Sequence, residues 1–287
     1  MSGLDGLTEE QRELVDAWLP GLVVVHDHSW GLVGTTVLEV EHCGERYVVK
    51  AADEKDHHLA RELRAHREWL APWTDRGRGP VLAHADAAAR VIVTGYLPGV
   101  LVQGTEHEHD PATYRQAGEL LALLHGQERH EAPGYEAQAR DKSLAWLDRP
   151  HRIAPKFESR LRELLGSWPT PTAVLVPTHG DWQPRNWLVH DGVVSVIDLG
   201  RADLRPAVTD LARLAARQFR GAPDLEAAFL DGYGTDPREP EAWHRLLVHE
   251  AVGTAVWAYQ VGDEAFEQQG HRMIAEVLQK PGGMTPV

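Results

Sequence analysis

The sequence predicts an α+β fold in which a small β-rich N-terminal lobe precedes a larger, mostly helical C-terminal lobe. In the first third of the chain, short runs rich in β-branched residues alternate with turn residues, whereas the remainder has apolar residues at helical spacing. The turn Tyr96-Leu97-Pro98-Gly99 separates the two regions. We therefore place the lobes at residues 1–95 and 96–287 and expect a cleft between them.

The elements of the N-terminal lobe follow from local patterns. Thr8 with Gln11 three residues later predicts a capped helix that reaches Trp18. Runs rich in valine predict strands, and Cys43-Gly44 is the expected tip of a hairpin between two of them. The segment from Ser29 to Thr36 contains Gly31 and Gly34, which would let backbone approach a phosphate, although two glycines more often mark only a turn. The predicted strands are residues 22–26, 35–41, 46–51, 81–83 and 90–94, with a helix at 55–70.

The C-terminal lobe is predicted to be mainly helical. Apolar residues recur at helical spacing in residues 111–126, 142–146, 157–165, 206–220, 224–232, 241–260 and 264–278. Short strands are expected around Val174, Trp187 and Val194, and residues 281–287 are expected to fray.

Composition and charge exclude some classes of protein. The 287 residues include 29 Lys and Arg against 43 Asp and Glu, a net charge of −14, which argues against a nucleic-acid partner. The charge either keeps the protein soluble or lines a cleft for a cationic substrate, and charge alone does not choose between these. The apolar runs are too short for a membrane span. The N-terminus lacks the basic segment followed by an apolar segment that is typical of a signal peptide. The single cysteine, Cys43, fits a cytoplasmic protein.

The segment HGDWQPRNWLV carries the strongest functional signal. It places Asp181 and Asn186 five residues apart, and the β-branched run VVSVI then leads to Asp198. Phosphoryl transfer depends mainly on positioning and charge neutralisation, so this set predicts a small-molecule kinase. We expect Asp181 to orient the attacking hydroxyl and accept its proton. Asn186 and Asp198 are hard oxygen ligands suited to Mg²⁺, and His179 is expected to brace the loop.

Lys50 is the expected phosphate-binding lysine. Alternate residues of a strand share a face, so Val48 and Lys50 point the same way and could serve a base and its phosphates together. Glu62, on the helix that follows, is the favoured partner of Lys50, although Glu68 competes for this role. The sequence has no G-x-x-x-x-G-K-[ST] segment, which argues against the P-loop class.

Taken together, these motifs resemble the aminoglycoside phosphotransferase family, which is related to choline kinases and more distantly to protein kinases. The resemblance runs in order along nearly the whole chain. Its segments are Val48-Val49-Lys50, Glu62, the hinge-like 91–99, Leu123-Leu124-His125, the catalytic loop 179–186, Ile197-Asp198-Leu199-Gly200 and Asp210-Leu211-Ala212. It implies a bilobal protein-kinase-like fold.

The resemblance also implies roles for further residues. Adenine would bond to backbone at Gly95 and Leu97, with Val48 packing on its face, and Asp210 would be a buried structural acid. Acceptor choice in this family is set by the helical lobe, where the candidates are Glu250, Asp263, Glu264 and Glu267. In the catalytic loop Trp182, Arg185 and Trp187 are bulkier than the family's usual residues and are interpreted as shaping the acceptor pocket.

The sequence therefore predicts a Mg²⁺-dependent phosphotransferase that uses ATP or GTP and acts on a hydroxyl of a small, cationic molecule such as an aminoglycoside antibiotic. Two alternatives stay open: a kinase of an uncharged sugar or amino-alcohol, and a kinase-like binding module without activity. No membrane or nucleic-acid partner is expected, and the chain is expected to be a monomer or a dimer.

Overall fold

The computed structural model describes residues 4–29 and 34–279. The chain forms two compact units, each built from separate stretches of sequence. The first unit comprises residues 1–128, 177–204 and 213–235, and the second comprises residues 129–176, 205–212 and 236–287. Half of the glycine-containing segment 29–36, namely residues 30–33, and the C-terminal residues 280–287 lie outside the described residues.

The β-rich part of the first unit is a five-stranded antiparallel sheet. Its strands are β1 (Val23–Asp27), β2 (Thr35–His42), β3 (Glu45–Ala52), β4 (Leu82–Asp86) and β5 (Val91–Gly95), in the order β1-β2-β3-β5-β4. Cys43 and Gly44 form the two-residue turn between β2 and β3 and both have positive φ, 51° and 82°. Such a turn matches the twist of an antiparallel pair. The predicted hairpin tip is therefore confirmed.

The two faces of this sheet pack against different helices. Helix α1 (Glu9–Trp18) begins with the predicted capping box of Thr8 and Gln11, and its Val15 joins a buried cluster with Val49 and Ala51 of β3. On the opposite face, Ala52 packs with Leu59 and Leu63 of helix α2 (His58–Glu68). Since strand residues alternate between faces, Lys50 lies on the α2 side.

The remaining elements comprise further short strands and the helices. They are α3 (Ala71–Thr74), β6 (Val100–Leu101), α4 (Pro111–His125), β7 (His130–Ala132), α5 (Tyr135–Leu147), α6 (Pro155–Ser167), β8 (Ala173–Thr178), β9 (Trp187–His190), β10 (Val193–Val196), β11 (Asp203–Arg205), α7 (Ala212–Ala216), α8 (Pro223–Tyr233), α9 (Pro240–Val261) and α10 (Glu264–Gln279). Strands β6, β9 and β10 form an antiparallel sheet, and β7 pairs with β8. The predicted α+β class is confirmed.

Residues 206–220 differ from the sequence prediction, which made them one helix. They form a 3₁₀ turn at Ala207–Leu211 followed by the short helix α7. The amide and the hydroxyl of Thr209 both donate to the carbonyl of Pro206, at 2.9 and 2.8 Å. This tightens the turn to 3₁₀ geometry, because a threonine hydroxyl competes with regular helical hydrogen bonds.

Close packing is visible within each unit. In the first, Gly118 of α4 lies so near α8 that a Cβ there would stand 2.1 Å from the carbonyl oxygen of Phe229. In the second, α5, α6, α9 and α10 share a buried cluster that includes Leu147, Leu161 and Ile274. Among the described residues, no helix is both long and apolar enough to cross a bilayer.

Candidate active site

Lys50 binds two carboxylates within the first unit. Its Nζ donates to Glu62 Oε2 at 2.7 Å and to Asp198 Oδ1 at 3.1 Å. The side chains of Lys50 and Glu62 are 17% and 8% exposed, whereas that of Asp198 is 48% exposed. Burial opposes the charge on the ammonium, but Glu62 and Asp198 outweigh it and raise the pKa of Lys50. The ammonium is therefore held in its charged form and points towards Asp198.

Helix α2 is attached to the segment after β10 at two further points. His58 Nδ1 donates to the carbonyl of Gly200 at 2.8 Å, and Arg64 donates to Asp203 Oδ1 at 2.7 Å. A Cβ on Gly200 would lie 3.2 Å from His58 Cβ, so the approach leaves little room for a larger residue. Glu68, the competing partner of Lys50, is exposed at the end of the helix.

Asp181 lies in the loop between β8 and β9 and is only 2% exposed. Its backbone N–H donates to His179 Nδ1 at 3.3 Å, and His179 Nε2 donates to the carbonyl of Ile197 at 3.1 Å. The two ring nitrogens thus have opposite roles, with Nδ1 accepting and Nε2 donating. His179 ties the Asp181 loop to the strand end that precedes Asp198.

Four side chains donate to the carboxylate of Asp181. Gln183 Nε2, at 2.6 Å, and Arg213 bond to Oδ1, while Arg185 and Asn186 Nδ2, at 3.1 Å, bond to Oδ2. Burial would raise the pKa of Asp181, but Arg213 and Arg185 outweigh it and hold the pKa below its ordinary value. The carboxylate is therefore ionised and accepts four hydrogen bonds.

Asp198 has a left-handed backbone, with φ of 63°. Contact with Lys50 lowers the pKa of Asp198 to about 2, against the opposing effect of burial. The adjacent Ile197 N–H donates to the carbonyl of Asn186 at 3.0 Å, and Asn186 Nδ2 also donates to the carbonyl of Asp181 at 2.7 Å. With its amide nitrogen used in this way, Asn186 keeps its side-chain oxygen as an acceptor.

The oxygen of Asn186 and the carboxylate of Asp198 fit a magnesium ion. Mg²⁺ takes a few protein oxygens and completes its shell with phosphates and water. Among the described residues, no group of three or more His, Cys, Asp or Glu side chains could hold a metal ion.

The hinge-like segment follows directly on β5. Gly95 N–H donates to the carbonyl of Val81 at 2.8 Å. Leu97 is half-buried. Val48 of β3 pairs with Thr94 of β5 and is likewise half-buried. These three residues belong to the same unit as Lys50 and Asp181.

The proposed acceptor carboxylates belong to the second unit, as does Asp210, which is 2% exposed. Glu250, Asp263 and Glu264 are exposed. Asp263 Oδ1 accepts from the Phe266 N–H at 3.0 Å and so caps α10. Glu267 is buried and accepts two hydrogen bonds from Arg152, which, with His271, hold its pKa below the ordinary value. Asp263 and Glu267 thus have structural partners already.

Sequence reasoning missed Arg213 and Arg201 beside Asp181, although it singled out Arg185 as a bulky residue of the loop. Arg213 comes directly after the recognised Asp210-Leu211-Ala212, but nothing local connects it with a residue 32 positions earlier. The interpretation that Trp182 and Trp187 shape the acceptor pocket is wrong, because both are fully buried and pack against each other. Arg185 is the bulky loop residue that reaches solvent, with 38% of its side chain exposed.

Comparison with known proteins identifies the class. A model described as the phosphotransferase enzyme family matches residues 31–246, well over half of the chain. The chain therefore belongs to the phosphotransferase enzyme family, and it is a small-molecule kinase. This confirms the resemblance found in the sequence. A comparison with curated protein sequences gave no match.

Solved structures of low sequence identity share the fold. A macrolide 2'-phosphotransferase from Brachybacterium faecium is 18% identical, with a TM-score of 0.58 over 95% of this chain and 97% of that one. A choline kinase from Streptococcus pneumoniae is 14% identical, with a TM-score of 0.65 over 93% and 96%. A thermostable mutant of an aminoglycoside phosphotransferase, in a ternary complex with ADP and hygromycin B, is 11% identical, with a TM-score of 0.64 over 96% and 100%.

Proposed function

We propose that this protein transfers the γ-phosphoryl group of ATP or GTP to a hydroxyl of a small molecule. The observation that carries the proposal is the pair of contacts that Lys50 makes with Glu62 and Asp198. An ammonium held between two carboxylates has a fixed position from which it can bind phosphate oxygens. Phosphoryl transfer requires such a fixed positive charge, because the reaction depends on positioning the phosphates and neutralising their charge. The ADP bound to the aminoglycoside phosphotransferase of similar fold supports an adenine nucleotide.

In this proposal each of the described side chains has a separate role in binding or transfer. Lys50, steadied by Glu62, binds the α- and β-phosphates, while adenine packs on Val48 and bonds to backbone at Gly95 and Leu97. Asn186 and Asp198 hold Mg²⁺, which neutralises phosphate charge when bound. Asp181 orients the acceptor hydroxyl, and because its carboxylate is ionised it can take the hydroxyl proton. Asp210 supports the fold as a buried acid.

Antibiotics are one candidate class of acceptor, since the structural neighbours include macrolide and aminoglycoside phosphotransferases. The expected cationic character of the acceptor rests on the net charge and on Glu250, Asp263, Glu264 and Glu267, and it stays a prediction. The guanidinium groups of Arg185 and Arg213 next to Asp181 do not favour a cationic acceptor.

Replacement of Asp181 tests the proposal. In Asp181→Asn and Asp181→Ala, magnesium-dependent phosphorylation should fall by about 10²–10⁴-fold, since general-base and orienting effects are of this size. Nucleotide affinity, measured by calorimetry, should change little. The matched control is Asp191→Asn, which alters a carboxylate that is 90% exposed in the next turn along the chain, between β9 and β10.

The acceptor is identified by incubating the protein with ATP or GTP and a panel of amines, aminoglycosides, macrolides and sugars. Mass spectrometry then reveals any product that gains one phosphate group. Full turnover by a folded Asp181→Ala protein would reject the role of Asp181. Absence of magnesium-dependent nucleotide consumption throughout a broad panel would count against phosphotransfer itself.

A further inference from the structure

We infer that the acceptor carries an anionic group, a carboxylate or a phosphate ester, besides the hydroxyl that is phosphorylated, and that Arg185 and Arg213 bind this group. The inference rests on the proposed function, because it takes Asp181 as the residue that orients the acceptor. It concerns a part of the site that faces solvent on the Asp181 side.

Exposure separates the four side chains that donate to Asp181. The two amides, Gln183 and Asn186, are buried at 3% and 4% exposure. The side chains of Arg185 and Arg213 are each 38% exposed, while that of Asp181 is 3% exposed. An acceptor that approaches this carboxylate from solvent therefore meets guanidinium groups first.

The hydrogen-bonding capacity of these arginines suits a second anion. Arg185 bonds to Oδ2 of Asp181 and Arg213 to Oδ1, each through one nitrogen. A guanidinium has five N–H donors in a planar fork and binds carboxylates and phosphates through two of them. Both side chains can thus keep Asp181 oriented while they bind a further anionic group.

The local charge also favours an anion. Arg201 lies near the same carboxylate: burial, Arg213 and Arg185 lower its pKa, while Asp181 and Asp198 act in the opposite direction. Three guanidinium groups thus share the neighbourhood of two ionised carboxylates, and the guanidinium groups repel one another. A bound anion would relieve this repulsion, whereas an ammonium group on the acceptor would add to it.

The chemistry of transfer is unchanged by this second group. The acceptor hydroxyl oxygen forms the new bond to the γ-phosphorus as the bond between that phosphorus and the bridging oxygen breaks. The nucleoside diphosphate leaves with the electron pair, and Asp181 takes the hydroxyl proton. The carboxylate or phosphate ester of the acceptor stays intact and serves to position the hydroxyl.

Matched sets of acceptors test the inference in the full-length protein with magnesium and ATP. One set is glycerol, glycerate, glycerol 3-phosphate and serinol, and a larger set is glucose, gluconate, glucose 6-phosphate and glucosamine. Within a set, the carboxylate or phosphate member should show kcat/KM at least about 100-fold above the neutral and cationic members, as expected for charge-assisted hydrogen bonds. The two anionic members distinguish a carboxylate from a phosphate ester.

Variants separate the role of the arginines from other roles. Arg213→Ala should raise KM for the anionic acceptor about 10–100-fold while KM for ATP stays constant, and Arg213→Lys should restore part of the loss. The control is Arg217→Ala, an exposed arginine four residues further along the chain. A preference for neutral or cationic acceptors would overturn the inference. So would a rise in KM for ATP instead of the acceptor, because the arginines would then bind the transferred phosphoryl group.

A binding experiment covers the case in which no compound is phosphorylated. Calorimetric titration with glycerate and glycerol 3-phosphate, with glycerol as the neutral control, should detect binding to the wild-type protein that Arg213→Ala loses. Anion binding without nucleotide consumption would support the anion site and reject phosphotransfer. Equal behaviour of the wild-type protein and Arg213→Ala would overturn the anion site, whatever the outcome for phosphotransfer.

Discussion

Replacing Glu62 with glutamine should weaken both the fold and the nucleotide site. The change keeps the size of the side chain but removes the carboxylate that lies 2.7 Å from Lys50 in a nearly buried pair. Breaking a buried ion pair by removing one partner costs about 3–5 kcal/mol when the other charge is left uncompensated. Here Lys50 keeps Asp198 at 3.1 Å, which is half-exposed, so we expect a smaller loss of about 2 kcal/mol in the free energy of unfolding.

Urea denaturation measures this loss, which corresponds to a midpoint lower by roughly 0.5–1 M. KM for ATP should rise about tenfold, since the ammonium loses one of the two groups that position it. Glu68→Gln is the control, because Glu68 is on the same helix but exposed. Equal effects of the two substitutions on stability and on KM would refute the assignment of Glu62 as the partner of Lys50.

Three further perturbations test other parts of the structure. Gly118→Ala should destabilise the protein by about 1–3 kcal/mol in urea denaturation, because α4 and α8 must move apart. Gly166→Ala on α6 should instead stabilise the protein by about 0.5–1 kcal/mol, because the added Cβ meets nothing within 4 Å and alanine favours the helix. His66 has its pKa lowered to about 4 by burial and by Lys50, so the unfolded chain takes up this proton first as pH falls. Stability should therefore be complete above about pH 6.5 and fall by about 1–3 kcal/mol towards pH 4, a slope that His66→Leu should reduce. Asp198→Ala should abolish magnesium-dependent nucleotide binding in calorimetry.

Each of these has an outcome that contradicts it. Equal unfolding midpoints for the two glycine variants would mean that α4 and α8 are not in close contact. An unchanged pH dependence in His66→Leu would assign the loss of stability to other groups. Retained magnesium dependence in a folded Asp198→Ala protein would place the metal elsewhere.

Local signals in the sequence predicted much of the fold. Thr8 and Gln11 form a capping box because their spacing alone allows it, and Cys43-Gly44 turns because glycine accepts the required backbone conformation. Alternation along β3 correctly placed Lys50 on the opposite face from Val49. These features depend on neighbours in sequence, which a single chain displays directly.

Contacts between residues that are distant in sequence were not predictable from such local signals. Arg213, which contacts Asp181, lies in the short helix that follows the 3₁₀ turn, where periodicity had suggested one continuous helix. Trp182 packs against Trp73, which is distant in sequence. The residue types of the motif indicated Lys50, Asp181, Asn186 and Asp198, and Arg185 was recognised as bulky, whereas the contact of Arg213 with Asp181 appeared only with the tertiary structure.

Helix α2 contacts the segment after β10 through His58 and Arg64, and it contacts strand β3 through the Glu62–Lys50 pair. Three separate attachments make an outward swing of this helix costly, since such a movement would break all of them together. The lysine that we propose to bind phosphate is then preorganised, because its side chain is ordered during folding and not at each turnover. Such an enzyme would be constitutively competent and would need no activating modification to assemble its site.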